Sequence, residues 1–407
     1  WCWWRYSGYY FTGICIMSIF QNNLLAAAAS ASAGGAAGGT LWAWGNAYWG
    51  ALGDGTTTNK CSPVQIGSEE NWVNVASIWR ASGAVNSDNE LYMWGYNFHG
   101  QLGLGDTTNR SSPVQVGSLT DWSTDPNHLV VGSSKEMGAI KTDGTLWTWG
   151  RNNFGQLGHG NTTELSSPAQ VGSDTDWHSI VGGNTCMRAI KTDGTMWFWG
   201  YGLRGQNGVG NTTNYSSPVQ IGSLTTWKNV SSMEWGAGAV KTDGTIWTWG
   251  YNDVGNIGDG TTTNRSSPVQ VGSATDWAGP LSGSPYAQHL VNDSGELWFW
   301  GFNYENAQAG LNYAQYSFQK TPLQVGDVDD WNAEDDDPSK SISGGNISKV
   351  GMKTDGTIWG WGRNTHGEVG DGSTTDRSSP TQIGSDATWQ KVCMGAISEH
   401  ALAIKDA

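Results

Sequence analysis

Charge, and positive charge above all, is what this chain of 407 residues has least of: 14% are charged, with 21 Lys and Arg against 36 Asp and Glu. The resulting net charge of -15 argues against a phosphate-binding surface, so no nucleic-acid partner is expected. Cysteine is sparse, at Cys2, Cys15, Cys61, Cys186 and Cys393. The set is odd in number and lacks zinc-ligand or redox-pair spacing, so the five read as unpaired small hydrophobes and leave the redox compartment unreadable. No apolar run spans a bilayer, because the stretch from Tyr9 to Phe20 is stopped by Gln21, Asn22 and Asn23. No G-x-x-x-x-G-K-[ST] loop is present, and none of the seven histidines has a partner at i+3 or i+4 or an H-E-x-x-H context. No catalytic set, metal site or cofactor site is expected, and the chain reads as non-enzymatic.

In excess are glycine, at 59, and tryptophan, at 26, the first suited to tight turns and the second to a core. Both recur with a period near fifty residues. A W-x-W-G element ends at Gly45, Gly95, Gly150, Gly200, Gly250, Gly301 and Gly362, with Tyr92 replacing the first Trp of the second copy. A proline follows each, at Pro63, Pro113, Pro168, Pro218, Pro268, Pro322 and Pro380. A lone tryptophan then opens the next unit: Trp72, Trp122, Trp177, Trp227, Trp277, Trp331 and Trp389. Seven units of strand-type pattern with this period predict a propeller or a solenoid.

Within one unit, "WKNVSSM", "AGAVKTDG", "GTIWTWG" and "PVQIG" each alternate as short strands. "TDGT" predicts a two-residue Asp-Gly hairpin, and Ser-Ser-Pro reads as a turn. The glycine-rich stretch "NFGQLGHGNTTELSSP" is too punctuated for regular structure and predicts a loop packed on the neighbouring blade. Both tryptophans of W-x-W-G lie on one face of their strand, which predicts burial between blades. The array opens at "GGTLWAWG" without its first two strands, and "WQKVCMGAISEHALAIKDA" at the end supplies them. The fold expected is therefore all-β: a seven-bladed propeller of four-stranded antiparallel blades over residues 40–407, closed by pairing of N- and C-terminal strands in one shared blade.

Residues 1–39 form a separate leader. Its "LLAAAASASA" ends in small residues like a signal-peptide cleavage site, yet only Arg5 precedes the apolar run. The chain reads better with Met17 as its start and residues 26–39 as a flexible Ala/Gly/Ser linker. "MSIFQNNLLAAAASASAGG" resembles the leader of virion structural proteins of marine tailed phages.

"LYMWGYNFHGQLGLGDTTNRSSPVQVG", from Leu91 to Gly117, resembles the regulator of chromosome condensation repeat family. The resemblance runs over about residues 40–407 and implies a seven-bladed propeller. Its members include a nucleotide exchange factor for a small nuclear GTPase, a plant ultraviolet-B photoreceptor and a secreted β-lactamase inhibitor. The photoreceptor's repeated Gly-Trp-Arg-His-Thr is missing here, and residues 17–40 lack the basic arm that chromatin docking wants. Repeats such as "GDGTTTNRSSPVQ" look like the bacterial and phage branch.

Recurring positions are accounted for by folding, so function is expected where the units differ. The most variable place is the turn between the first and second strands. Its candidate binding residues are Trp79, Arg80, Lys135, Glu136, Asn184, Glu234, Trp235, Tyr286, Ser348, Lys349 and Glu399. Trp79, Trp235 and Tyr286 stand outside the repeated tryptophan positions and suit protein or glycan binding, with the covering of loop backbone as the alternative. Asp335, Asp336 and Asp337, in an insertion after Trp331, read as a solvated acidic loop on the opposite face. The function expected is recognition by a virion or extracellular protein, tail- or fibre-associated on a phage particle, with a protein or glycan partner and no membrane. A secreted bacterial inhibitor or adhesin and a guanine-nucleotide exchange factor are the rivals.

Overall fold

A computed structural model of the chain describes residues 38–129, 135–284, 287–303, 309–310, 316–334, 337–395 and 397–407. The leader expected over residues 1–37 therefore lies outside the described residues. In blade 1 the strands are Trp72–Ile78, Ala81–Asn86, Leu91–Gly95 and Arg110–Gln115, paired in chain order. Blades 3 to 6 repeat this order from Trp177, Trp227, Trp277 and Ile342. Blade 2 contains Glu136–Ile140, Leu146–Gly150 and Leu165–Gln170, and Trp122 and Leu129 bridge to its second strand at Lys141 and Ala139. Blade 7 is the shared one. Thr40–Gly45 pairs with Lys60–Gln65 on one side and His400–Lys405 on the other, from Thr40 against Lys405 to Gly45 against His400, and Trp389–Cys393 completes it. The single ladder between Thr40–Gly45 and His400–Lys405 joins head and tail of the ring.

Two local expectations are corrected. In the "TDGT" hairpin Gly144 N donates to Lys141 O at 3.0 Å and Lys141 N to Thr145 O at 2.9 Å. Only Gly144, at φ 78°, is left-handed. This is a three-residue loop, a type I turn closed by a left-handed glycine, and not the two-residue hairpin that Asp-Gly predicts. Asp143 instead accepts from Thr145 Oγ1 at 2.6 Å, and Thr145 Oγ1 accepts from Trp147 Nε1 at 2.9 Å. Ser-Ser-Pro is likewise no turn. It sits within each of the outer strands Arg110–Gln115, Tyr215–Gln220, Arg265–Gln270 and Arg377–Gln382, where a sheet edge tolerates proline.

The tryptophans fill the seams as predicted. The second Trp of W-x-W-G is fully buried in every blade. Trp44, Trp94, Trp149, Trp249 and Trp300 each donate Nε1 to a carbonyl of the preceding blade's glycine-rich loop, at 2.9–3.1 Å. Gly208 of that loop packs so close that a Cβ would stand 2.7 Å from Trp249 Nε1. The first Trp is half-buried and meets the lone tryptophan edge to face, as in Trp147 with Trp122 at 6.5 Å. A repeated lysine closes this pair: Lys141 Nζ lies 4.1 Å from the Trp147 ring and 3.1 Å from Asp121. Lys191, Lys353 and Lys405 have the same rings and an acidic partner, whereas Lys241 has the rings alone among the described residues.

The innermost strands line an axial channel. Two units carry extra residues after their lone tryptophan, Trp122 and Trp331, and these insertions enter it as short helices, Pro126–His128 and Pro338–Lys340, which touch each other. Asp337 is therefore not solvated. It is buried, caps its helix by accepting from Ser339, and pairs with Lys391 at 3.1 Å. Asp335 and Asp336 lie outside the described residues.

Candidate functional site

Strand order decides which loops share a face. Ala81 at the start of the second strand pairs with Gly95 at the end of the third. The variable turn and the glycine-rich loop after W-x-W-G thus emerge together, and the "TDGT" hairpins and inter-blade connections occupy the other end.

The densest constellation on this turn face spans blades 7, 1 and 2. Trp79 meets Tyr96 edge-on at 5.6 Å, and Tyr96 is bracketed by Trp49 at 5.6 Å and Phe98 at 6.4 Å. Arg80 lies 4.5 Å above the Trp79 ring and 5.7 Å from that of Tyr48, and Lys135 lies 4.9 Å from Trp79. Arg80 is held at φ 120°, a costly conformation for a residue with a side chain, in a two-residue turn closed by its N–H on Ile78 O at 2.8 Å. Burial, then Arg151 and Arg80, push the Lys135 ammonium below its ordinary pKa, against the pull of Glu136 and Glu164. Among the described residues neither Arg80, Lys135 nor Arg151 has an ion-pair partner, on a chain of net charge -15. Tyr48, Trp49 and Phe98 stay 52%, 47% and 67% exposed.

A second group joins blades 2, 3 and 4. Trp235 meets Tyr201 at 6.2 Å, Tyr201 meets Phe154 at 5.0 Å, and Arg204 lies 4.7 Å from Trp235 and 4.9 Å from Tyr251. Asn184 Nδ2 donates to Glu234 Oε1 at 3.1 Å, and burial raises the Glu234 carboxyl despite Asn184 and Arg204. Glu399 belongs to the seam of blades 6 and 7, accepting from Asn46 Nδ2 at 2.9 Å and from Arg363 at 2.6 Å. His366 connects this seam to the first constellation through Tyr48, at 6.3 Å.

The second strands of blades 2 and 6 begin earlier than the sequence indicated, and this moves three candidates inward. Glu136 opens the strand Glu136–Ile140, and Ser348 and Lys349 open Ser348–Met352; all three are buried. The alternating strand register turns them into the seams and away from solvent. Tyr286 lies outside the described residues. Conversely, Tyr48, Trp49, Tyr96 and Phe98 were missed because the glycine-rich loop reads as packing alone. A signal existed: Trp49, like Trp79 and Trp235, belongs to neither repeated tryptophan position. Among the described residues no three of His, Cys, Asp and Glu come together as a metal site.

Ring, repeat and closure define a seven-bladed propeller whose glycine-rich loops clasp the next blade. The Regulator of chromosome condensation (RCC1) repeat model matches residues 38–84, 88–124, 143–190, 243–278 and 355–404, more than half of the chain. The chain belongs to that repeat family. It is similar in fold to Prp20p from Saccharomyces cerevisiae, a structure described with its binding properties to Gsp1p and histones, at a TM-score of 0.77 and 18% identity over 91% of this chain and 93% of that one. Yeast RCC1 (Prp20) bound to Kap60 gives 0.77 at 17% identity, covering 91% and 90%. Human WBSCR16 gives 0.75 at 17% identity, covering 91% and 99%. The Protein RCC2 homolog of Danio rerio is 56% identical over 32 residues, which are 8% of this chain and 6% of that protein.

Proposed function

We propose that this chain is a non-enzymatic recognition propeller that grips a protein partner with its turn face, centred on Trp79, Arg80, Lys135, Trp49 and Phe98. One observation carries the reading. On a ring whose repeated tryptophans are taken up by the seams, Tyr48, Trp49 and Phe98 remain exposed beside unpaired cations. Aromatic rings next to arginine, set on a rigid frame, are what interface hot spots consist of. The protein complexes described for yeast Prp20 support the same class of partner. A glycan stacked on the same rings is the competing ligand. The finer reading places the protein on a phage particle, supported by the leader after Met17 and by the near-identical repeats. Mass spectrometry of purified virions tests that placement, and its failure leaves the binding face standing.

The binding face is tested by affinity capture with the wild-type chain and the Trp49→Ser/Phe98→Ser double variant. Loss of a captured partner at unchanged thermal stability is expected, and equal recovery by both overturns the reading. Nucleotide exchange is the second reading, favoured by the shared fold with Prp20. It predicts accelerated release of labelled GDP from a small GTPase, and unchanged rates across a GTPase panel remove it.

A further inference from the structure

The axial channel holds a cavity of about 100 Å³, room for roughly three waters, walled in part by Ser232, Ser282, Gly283, Ser343 and Gly344. Lys349 stands behind this wall on the second strand of blade 6, fully buried. Its Nζ has no acceptor, and burial alone lowers its pKa to about 7. Ser282 Oγ, on the innermost strand of blade 5, is also buried without a partner. The two atoms converge on Gly344: a Cβ there would stand 2.6 Å from Ser282 Oγ and would collide with Lys349 Nζ. On the adjoining wall Ser232 Oγ accepts from Arg188 Nη1 at 2.8 Å, and this guanidinium is fully buried with Nε unpartnered. Nearby acids face elsewhere. Asp337 neutralises Lys391, and Glu136 lies beside Cys186, where it opposes ionisation of the thiol.

A buried ammonium without a counter-charge is costly, and a hydroxyl and an amine meeting over a bare Cα form a donor set for an anion. We propose that the axial cavity binds a small oxyanion, held by Ser282 Oγ–H and the Lys349 ammonium over Gly344, with the Arg188–Ser232 pair supplying positive potential from the next wall. The anion provides the charge that Lys349 lacks, so the site couples ligand binding to the stability of the seam between blades 5 and 6. It is independent of the turn-face contact.

The test is thermal unfolding of the full chain titrated with sodium phosphate or sodium acetate, ionic strength being held constant with chloride. The wild type should show a saturating rise, about 3 °C at a hundredfold excess over Kd. Lys349→Met replaces the amine by an uncharged chain of similar length; it should be more stable than wild type without the anion and lose the saturating rise. Response to phosphate alone identifies a tetrahedral ion, and response to acetate alone a carboxylate; either supports the site. A wild-type response that climbs linearly without saturating is the general salt effect, and it overturns the proposal. The same saturating rise in Lys349→Met overturns it too. If that variant does not fold, Ser282→Ala carries the same comparison.

Discussion

Replacing Trp249 by alanine separates what holds the ring from what faces a partner. The indole is fully buried between blades 3 and 4, in a cluster with Ile190, Phe198 and Ala237. Removing 150–250 Å² of buried aromatic surface corresponds to at most about 4–6 kcal/mol, and cavity-forming truncations of this size cost roughly 3–5 kcal/mol. The hydrogen bond adds little. Gln206 O accepts from Trp249 Nε1 at 3.1 Å but also from Arg188 Nη2 at 2.7 Å, so the carbonyl keeps a partner. About 4 kcal/mol is therefore expected. With an unfolding entropy of roughly 0.8 kcal/mol/K for a body of this length, the melting temperature should fall by about 5 °C in calorimetry. Trp49→Ala, at a half-exposed ring, should change stability by less than about 0.5 kcal/mol while weakening partner capture. Equal destabilisation by the two substitutions would refute this division between seam and surface.

Gly208→Ala, at φ 71° and pressed on the Trp249 indole, should cost about 3 kcal/mol, whereas Gly222→Ala, at φ 63° in open space, should cost about 1 kcal/mol; urea melts measure the difference. Asp337→Asn should lower stability by about 3 kcal/mol in the same assay by leaving the buried Lys391 without its counter-charge, which a solvated acidic loop would not do. His400 is buried on Ser82 Oγ at 2.8 Å and Ser398 Oγ at 3.0 Å, and burial lowers its pKa to about 3. The unfolded chain takes up this proton near pH 6.5 and the folded chain does not, so the stabilisation is complete above that pH and is lost as pH falls towards 3. Between pH 6 and 4.5 this contributes a slope of up to about 1.4 kcal/mol per pH unit, and His400→Gln should flatten the slope in denaturant melts.

The ring itself was legible because repetition exposes it. Seven W-x-W-G elements and a terminal strand pair lacking its partners leave few other ways to close a sheet. Features that depend on the exact end of a strand were not legible. The turn after Ile78 is only Trp79 and Arg80, and in blades 2 and 6 an early start of the second strand brings Glu136, Ser348 and Lys349 into buried strand positions. One residue of register reverses which way such a side chain points. Asp337 was misread because composition speaks for solvent, while Lys391, which holds it, is 54 residues away in sequence. The lysine between two tryptophans went unread although it stands before the hairpin in the copies at Lys141, Lys191, Lys241 and Lys353. Nothing in local sequence shows that Trp122 and Trp147 face each other until the blade is folded.

The most direct test of the central claim is site-specific photo-crosslinking in extracts of the source organism, with benzoylphenylalanine placed at Phe98 on the turn face or at Leu224 on the opposite one, both exposed. Adducts of defined mass from position 98 and none from position 224 are predicted. Adducts confined to position 224 would contradict the assignment of the contact surface.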